Sequence, residues 1–185
     1  VSNIYEVEES KKLILQVREE LIKKGIKFSK SLPKVGVLIE TPAAALISGP
    51  LSKFCDFFAI GSNDLTMYTL AIDRGDEEVA KIYDPTHLSV LRLIKQTCDS
   101  ANKANIPVSI CGEMAGDVLF TSLLVGMGIK TLSMSTSRIL KVKQFLSKLD
   151  SREAKKISEE ILKQEDNVII KEKLKVYSEK ILNSI

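Results

Sequence analysis

Residues 36–74 read GVLIETPAAALISGPLSKFCDFFAIGSNDLTMYTLAIDR. Two short apolar segments, residues 35–39 and 57–60, are bounded by turn-forming residues, which is typical of buried parallel strands. Glu40 follows the first segment directly, and Asp64 follows the second after Gly-Ser-Asn. Because the carboxyl ends of parallel strands meet at the same rim of a sheet, we expect Glu40 and Asp64 to lie close together.

This pair of carboxylates suits Mg²⁺, which takes one or two protein carboxylates together with oxygens of its substrate. Asn63 offers an amide donor beside them, and Arg74 offers a planar fork that matches phosphate or carboxylate. Each feature alone also fits a structural role, because a Glu before Thr-Pro can cap a helix and Asn-Asp is common in turns. Their joint placement favours a site for an anionic, phosphorylated, metal-chelated substrate.

The three cysteines are odd in number and widely spaced. This pattern argues against a disulfide framework and for a reducing, cytoplasmic setting. Cys111 ends a predicted strand at the rim that carries the two acids, where it is either a poised thiol or a small buried hydrophobic residue. The shared rim favours the functional interpretation. Cys55 and Cys98 are expected to lie on helices, in packing roles.

Two further polar residues are expected to have supporting roles. His87, the only histidine, stands at a predicted helix start and is interpreted as a surface or capping residue. Glu113 follows Cys111 and Gly112 and is expected to support their loop by hydrogen bonding. Neither residue is assigned a role in chemistry.

The rest of the chain alternates helical patterns with short apolar strands. Residues 62–83 are expected to form a long irregular connection, and a strong amphipathic helix is expected to begin at Asp84-Pro85-Thr86. Further strands are predicted at 107–110 and 131–134, and further helices at 6–24, 43–53, 118–124, 138–149, from 151 onward, and 168–182. Strands joined by helices predict a single α/β domain over residues 1–185 with a parallel sheet. Because a complete (β/α)₈ barrel takes about 250 residues, these four strands make about half of one.

Composition narrows the function classes. The net charge of +3 is modest and lysines alternate with glutamates, which gives nucleic-acid binding little support. There is no tryptophan for a base-stacking surface, and no segment is apolar enough for membrane insertion. The chain opens on a charged helix at Val1, so it is expected to be a piece of a longer polypeptide without a signal peptide at this point.

Three motifs together resemble the phosphoenolpyruvate-utilising enzymes: GVLIETPAAA at residues 36–45, DFFAIGSNDLTMYTLAIDR at 56–74, and CGEMAG at 111–116. The resemblance continues through residues 91–99 and 123–134. It is closest to the phosphoenolpyruvate–protein phosphotransferases, which are enzyme I of the bacterial sugar phosphotransferase system. Three motifs in this order are far more specific than any one of them.

The resemblance implies a phosphoenolpyruvate-binding (β/α)₈ TIM-type barrel, of which the chain would be roughly the C-terminal half. It implies that Glu40 and Asp64 hold Mg²⁺ and that Asn63 and Asp64 contact phosphoenolpyruvate. Arg74 would bind the phosphate, and Cys111 would protonate the enolate carbon of pyruvate. The family passes the phosphoryl group to a histidine on a separate domain and then to a phosphocarrier protein, and it forms homodimers through this domain.

The sequence departs from the family pattern in several places. Ser62 stands where Thr is usual and Met67 where Gln is common, and neither is expected to touch the chemistry. The phospho-accepting histidine motif, the carrier-binding helical domain and the first half of the barrel do not occur in these residues. The piece is therefore expected to be inactive alone and not to remain a simple monomer.

Two alternatives stay open on the sequence. Pyruvate phosphate dikinases and phosphoenolpyruvate synthases share the three motifs, although the segment between Arg74 and Pro85 favours enzyme I. The chain could also be a structural or dimerisation module whose site is inherited but incomplete.

Overall fold

The computed structural model describes residues 1–29, 31–72 and 81–183. Within these residues, four parallel strands form one sheet in the order β1-β2-β3-β4. The strands are β1 Gly36–Ile39, β2 Phe57–Gly61, β3 Val108–Cys111 and β4 Thr131–Leu132. The predicted α/β class with a parallel sheet is confirmed. The sheet is open in the described residues, so closure into a barrel stays a prediction.

Helices connect and flank the strands. No helix in the described ranges has the length and apolar character needed to cross a membrane. The helices are α1 Ile4–Lys23, α2 Pro42–Leu46, α3 Ser48–Leu51, α4 Ser62–Leu70, α5 Leu88–Ala104, α6 Val118–Gly126, α7 Thr136–Leu146, α8 Ser151–Leu162 and α9 Asn167–Leu182, with a 3₁₀ turn at Glu113–Gly116.

The prediction of an irregular connection after β2 is wrong for its first part, because α4 begins immediately at Ser62. Two threonine hydroxyls donate back to helix carbonyls, Thr66 to Ser62 at 2.7 Å and Thr69 to Leu65 at 2.6 Å. Leu65 and Thr66 are fully buried, so tertiary packing stabilises a segment that lacks a clear amphipathic pattern. The later part of the connection, residues 73–80, lies outside the described residues.

Other element boundaries differ locally from the predictions. The helix expected over residues 43–53 is divided into α2 and α3. Cys55 lies in the loop between α3 and β2 rather than on a helix, and it still packs against the core. The fourth strand has two residues instead of the four predicted, since only Thr131 and Leu132 pair with β3.

The two faces of the sheet have different environments. One face is buried beneath the helices, with fully buried side chains that include Ile39, Phe58 and Ile110. The other face carries residues that are only partly covered, and Leu38 is 39% exposed. This second face would line the inside of a barrel if the sheet were closed.

Candidate functional site

The carboxyl ends of β1, β2 and β3 form one rim, and the sequence-predicted residues lie along it. Ile39 pairs with Ile60 and Gly61 pairs with Cys111, so the three strands end side by side. Glu40 follows β1, Asn63 and Asp64 lie in the first turn of α4 directly after β2, and Cys111 is the last residue of β3. Arg74 lies outside the described residues.

Glu40 lies against the end of the neighbouring strand. A Cβ added to Gly61 would lie 3.2 Å from the Glu40 Cβ and 3.3 Å from its Oε2. The missing side chain at Gly61 therefore leaves room for the Glu40 carboxylate over the end of β2. The Glu40 side chain remains half-buried and partly open to solvent.

Asp64 belongs to a helix that starts at the strand end. The N-terminus of α4 carries unpaired backbone N–H groups and a partial positive charge, which favour an acidic residue in this first turn. The Asn63 Oδ1 accepts a hydrogen bond from the Glu113 backbone N–H at 3.1 Å. Because the oxygen is engaged there, the two amide hydrogens of Asn63 remain as donors.

The Cys111 thiol lies within electrostatic reach of both acids. Its Sγ donates to the Ile60 carbonyl oxygen at 3.5 Å. Burial raises the pKa of this thiol, and the negative charges of Glu40 and Asp64 raise the pKa further. A raised pKa keeps the thiol protonated at neutral pH, which an acid catalyst requires.

The other cysteines have a different environment. Burial raises the pKa of Cys98 to about 12, on the apolar face of α5. Burial is also the main cause that raises the pKa of Cys55. The packing roles predicted for both residues are consistent with their contacts with the core.

The structure adds a contact that sequence reasoning did not indicate, between Ser62 and the backbone of Cys111. The Ser62 hydroxyl donates to the Cys111 backbone carbonyl oxygen at 2.7 Å. Sequence reasoning missed this contact because it crosses from one strand end to the next. The sequence signal was the position of Ser62 directly after the second strand, whereas the register that brings it to the end of β3 comes only from the structure.

The supporting residues behave largely as expected. His87 caps α5, and its Nδ1 accepts from the Ser89 backbone N–H at 3.3 Å. Glu113 takes part in the hydrogen bonding of its loop, although it does so through its backbone N–H while its side chain is exposed.

The donor set of the rim is small. Within residues 1–29, 31–72 and 81–183, no group of three or more His, Cys, Asp and Glu side chains is arranged to hold a metal ion. The two carboxylates of Glu40 and Asp64 do not suit a tetrahedral zinc site, but they fit Mg²⁺, which completes its shell with water and substrate oxygens. Carboxylates and a thiol of raised pKa thus lie together at the carboxyl ends of parallel strands, the edge at which α/β enzymes place their active sites.

Comparison with known proteins identifies the family. Residues 1–151 match the family described as "PEP-utilising enzyme, PEP-binding domain", where PEP is phosphoenolpyruvate. The chain belongs to this family, and the resemblance drawn from its motifs is confirmed.

Several curated relatives are enzymes named phosphoenolpyruvate-protein phosphotransferase. The relative from Cupriavidus necator is 45% identical over 75% of this chain and 24% of its own length. Those from Bacillus subtilis and Mycoplasma capricolum are 39% and 36% identical over 88% and 90% of this chain, and 28% and 29% of their own lengths. The chain thus spans about a quarter of the length of the relatives it matches.

Proposed function

We propose that the rim binds phosphoenolpyruvate with Mg²⁺ and supports transfer of its phosphoryl group to a histidine on another domain of the parent protein, releasing pyruvate. The observation that carries the proposal is the convergence of Glu40, Asp64 and Cys111 at the ends of neighbouring strands. Family membership supports phosphoenolpyruvate as the ligand. The relatives' shared name favours the phosphotransferase over a dikinase or a synthase.

Glu40 and Asp64 are the residues that would hold Mg²⁺. When bound, the ion supplies positive charge that stabilises the enolate left by the departing phosphoryl group. The carboxylates come from two separate elements, the end of β1 and the start of α4, so the fold fixes their separation.

Asn63 and Arg74 are assigned to the anionic groups of the substrate. The Asn63 side chain is oriented by its bond to the Glu113 N–H, which leaves its amide hydrogens to donate to a ligand oxygen. Asp64 would contribute to substrate contact as well as to the metal. Arg74 would bind the phosphate, since a guanidinium matches phosphate geometry with two parallel hydrogen bonds.

Cys111 is assigned as the acid. The histidine nitrogen attacks phosphorus, the bridging P–O bond breaks, and its electron pair stays on the enol oxygen. The enolate carbon then takes the thiol proton, which gives the pyruvate methyl group and leaves a thiolate that solvent reprotonates. Burial favours the protonated thiol before this step.

The wider setting is also proposed from the family. The parent protein would pass the phosphoryl group to a phosphocarrier protein in the cytoplasm, as part of sugar transport, and would act as a homodimer. The separate chain should associate, because β1 and β4 have open edges in the described residues and one face of the sheet is partly uncovered. Sedimentation velocity at several concentrations should show association, whereas a concentration-independent monomer would contradict this expectation.

The test of the site uses the full-length protein and the substitution Asp64→Asn. Mg²⁺-dependent formation of pyruvate from phosphoenolpyruvate should fall by a factor of about 100 or more, because charge stabilisation of the enolate is lost. Glu165→Gln is the matched control, since it removes one negative charge from an exposed position between α8 and α9. Near-normal turnover with unchanged metal dependence in Asp64→Asn would show that the rim is only a structural or dimerisation module.

A further inference from the structure

Cys111 is held at two of its atoms by the end of β2. Its thiol donates to the Ile60 carbonyl oxygen, and its own carbonyl oxygen accepts from the Ser62 hydroxyl. Gly61, which lies between those two residues, is the sheet partner of Cys111. Both ends of the Cys111 residue are therefore fixed relative to the same three-residue segment.

The turn after Cys111 fits closely against the same segment. Gly112 has a φ of +97°, and an added Cβ would lie 2.5 Å from the Ser62 Oγ and 2.7 Å from the Asn63 Oδ1. A side chain at position 112 would displace both oxygens. The next backbone N–H, that of Glu113, bonds to the Asn63 Oδ1. Residues 111–113 and 62–63 thus form one interlocked unit.

Ser62 is placed to determine this arrangement. It is only 1% exposed, so water cannot readily replace its hydroxyl if the side chain is removed. Its own carbonyl oxygen accepts from the Thr66 hydroxyl, which anchors Ser62 to α4. The Ser62 hydroxyl therefore links the start of α4 to the end of β3, where the thiol lies.

We propose that Ser62 is a positioning residue, whose hydroxyl holds the Cys111–Glu113 turn so that the thiol is presented to the substrate in one orientation. The structural part of this proposal stands independently, and the part concerning protonation rests on the proposed function. Loss of the hydroxyl should release the turn while leaving the carboxylates of Glu40 and Asp64 in place.

The first measurement is amide hydrogen exchange of Glu113 by NMR on the 185-residue chain. Removing the hydrogen bond in Ser62→Ala should speed exchange at Glu113 by about tenfold, because the bond constrains the turn. Ser62→Thr keeps the hydroxyl and should restore exchange to within about twofold of the parent rate.

Ser158→Ala is the matched control. Ser158 is fully buried like Ser62, but its hydroxyl has no hydrogen-bond partner among the described residues. Its removal should leave Glu113 exchange unchanged. Unchanged exchange in Ser62→Ala would overturn the positioning role, and equal acceleration in Ser158→Ala would show a general loosening of the fold, which also overturns it.

The second measurement follows solvent deuterium entering the methyl group of pyruvate, using the full-length protein. Ser62→Ala should slow this exchange by about tenfold, because proton transfer depends on the position of the thiol. The KM for phosphoenolpyruvate, measured separately in the forward reaction, should change little. Ser62→Thr should recover the rate. An unchanged rate in Ser62→Ala would overturn the catalytic part of the proposal.

The two readouts separate failure of this inference from failure of the proposed function. If Cys111→Ser exchanges the pyruvate methyl at the parental rate, the thiol is not the acid and the proposed function fails there, whatever Glu113 exchange shows. Should Ser62→Ala be too unstable to study, Ser62→Cys replaces the hydroxyl by a weaker hydrogen-bond donor, and unchanged Glu113 exchange in it would overturn the structural part.

Discussion

The acidic side chains at the rim and those on the C-terminal helices differ in whether a basic side chain pairs with them. Glu160 on α8 accepts hydrogen bonds from Lys173 and Tyr177 of α9, and Glu153 on α8 accepts from Lys180. Glu40 and Asp64, in contrast, form no ion pair with any residue that the structure describes.

The pKa shifts follow the same division. The hydrogen bond from Lys173, followed by that from Tyr177, lowers the pKa of Glu160, so the paired acid is stabilised as a carboxylate. At the rim, burial raises the pKa of the Cys111 thiol, and the negative charges of Glu40 and Asp64 raise it further. The acids of α8 therefore have their counter-charges within the described residues, whereas we propose that a bound cation supplies the counter-charge of the rim acids.

The largest expected effect concerns the rim thiol. Cys111→Ser in the full-length protein should slow deuterium exchange into the pyruvate methyl group by a factor of about 100 or more, because a hydroxyl is a far weaker acid than a thiol. Phosphorylation of the protein should be affected less. Cys55→Ser is the control, since Cys55 lies in the loop before β2 and not at the rim. Equal losses in both variants would remove the distinction between the rim thiol and a packing thiol.

The next effect separates backbone strain from the interlock at the rim. Gly112 and Gly128 have nearly the same φ, +97° and +98°, but an added Cβ at Gly128 meets only the Asn102 amide nitrogen at 3.1 Å. In both Ala variants the free energy of unfolding should fall by about 1–3 kcal/mol, because side chains rarely adopt these positive φ values. In Gly112→Ala the free energy of unfolding should fall by about 1 kcal/mol more, because the added Cβ overlaps the Ser62 Oγ and the Asn63 Oδ1. Urea denaturation of both variants measures this difference, and equal losses would refute the interlock.

A smaller effect tests the two kinds of acid through stability. Glu160→Gln should lower the free energy of unfolding by less than about 1 kcal/mol, because its partners lie at a half-exposed surface. Glu40→Gln should leave the free energy of unfolding unchanged or raise it slightly, since one of two neighbouring negative charges is removed. Parallel denaturant titrations decide this, and a clear loss of stability in Glu40→Gln would mean that the rim acid has a structural role.

The smallest effect is in the pH dependence. The lowered pKa of Glu160 gives a stabilisation that is present above its unfolded value of 4.5 and is lost as pH falls through the folded value. The Tyr177 pKa is raised to about 12 by its hydrogen bond to Glu160, so that contribution is present below pH 10 and is lost as pH rises towards 12. Thermal melts at a series of pH values should show that the melting temperature of Glu160→Gln changes less with pH, both in the acidic range and towards pH 12. Identical profiles would contradict the pairing.

The rim was largely predictable from sequence, and its internal contacts were not. Glu40, Asp64 and Cys111 follow short apolar runs, and the rule that parallel strands end at one edge brings them together. The Ser62–Cys111 hydrogen bond depends on register between β2 and β3, which no local pattern specifies. The positive φ of Gly112 likewise becomes meaningful only beside Ser62 and Asn63.

The errors in the fold have a common physical cause. The sequence predicts a loop where α4 forms, because Gly-Ser-Asn-Asp is typical of turns. Burial of Leu65 and Thr66 in the core stabilises the helix instead. Cys55 is expected on a helix, yet α3 ends at Leu51 and the chain turns before Cys55 to enter β2. In both places tertiary packing overrides local preference.

The central claim is that the rim carboxylates hold a divalent ion together with phosphoenolpyruvate. The most direct measurement replaces Mg²⁺ by Mn²⁺ and records paramagnetic broadening of backbone amide signals in the chain, with phosphoenolpyruvate present. We expect strong broadening at Gly61, Asp64 and Gly112, and we expect it to be lost in Asp64→Asn. Broadening centred on the acids of α8 and α9, or broadening at the rim that persists in Asp64→Asn, would contradict it.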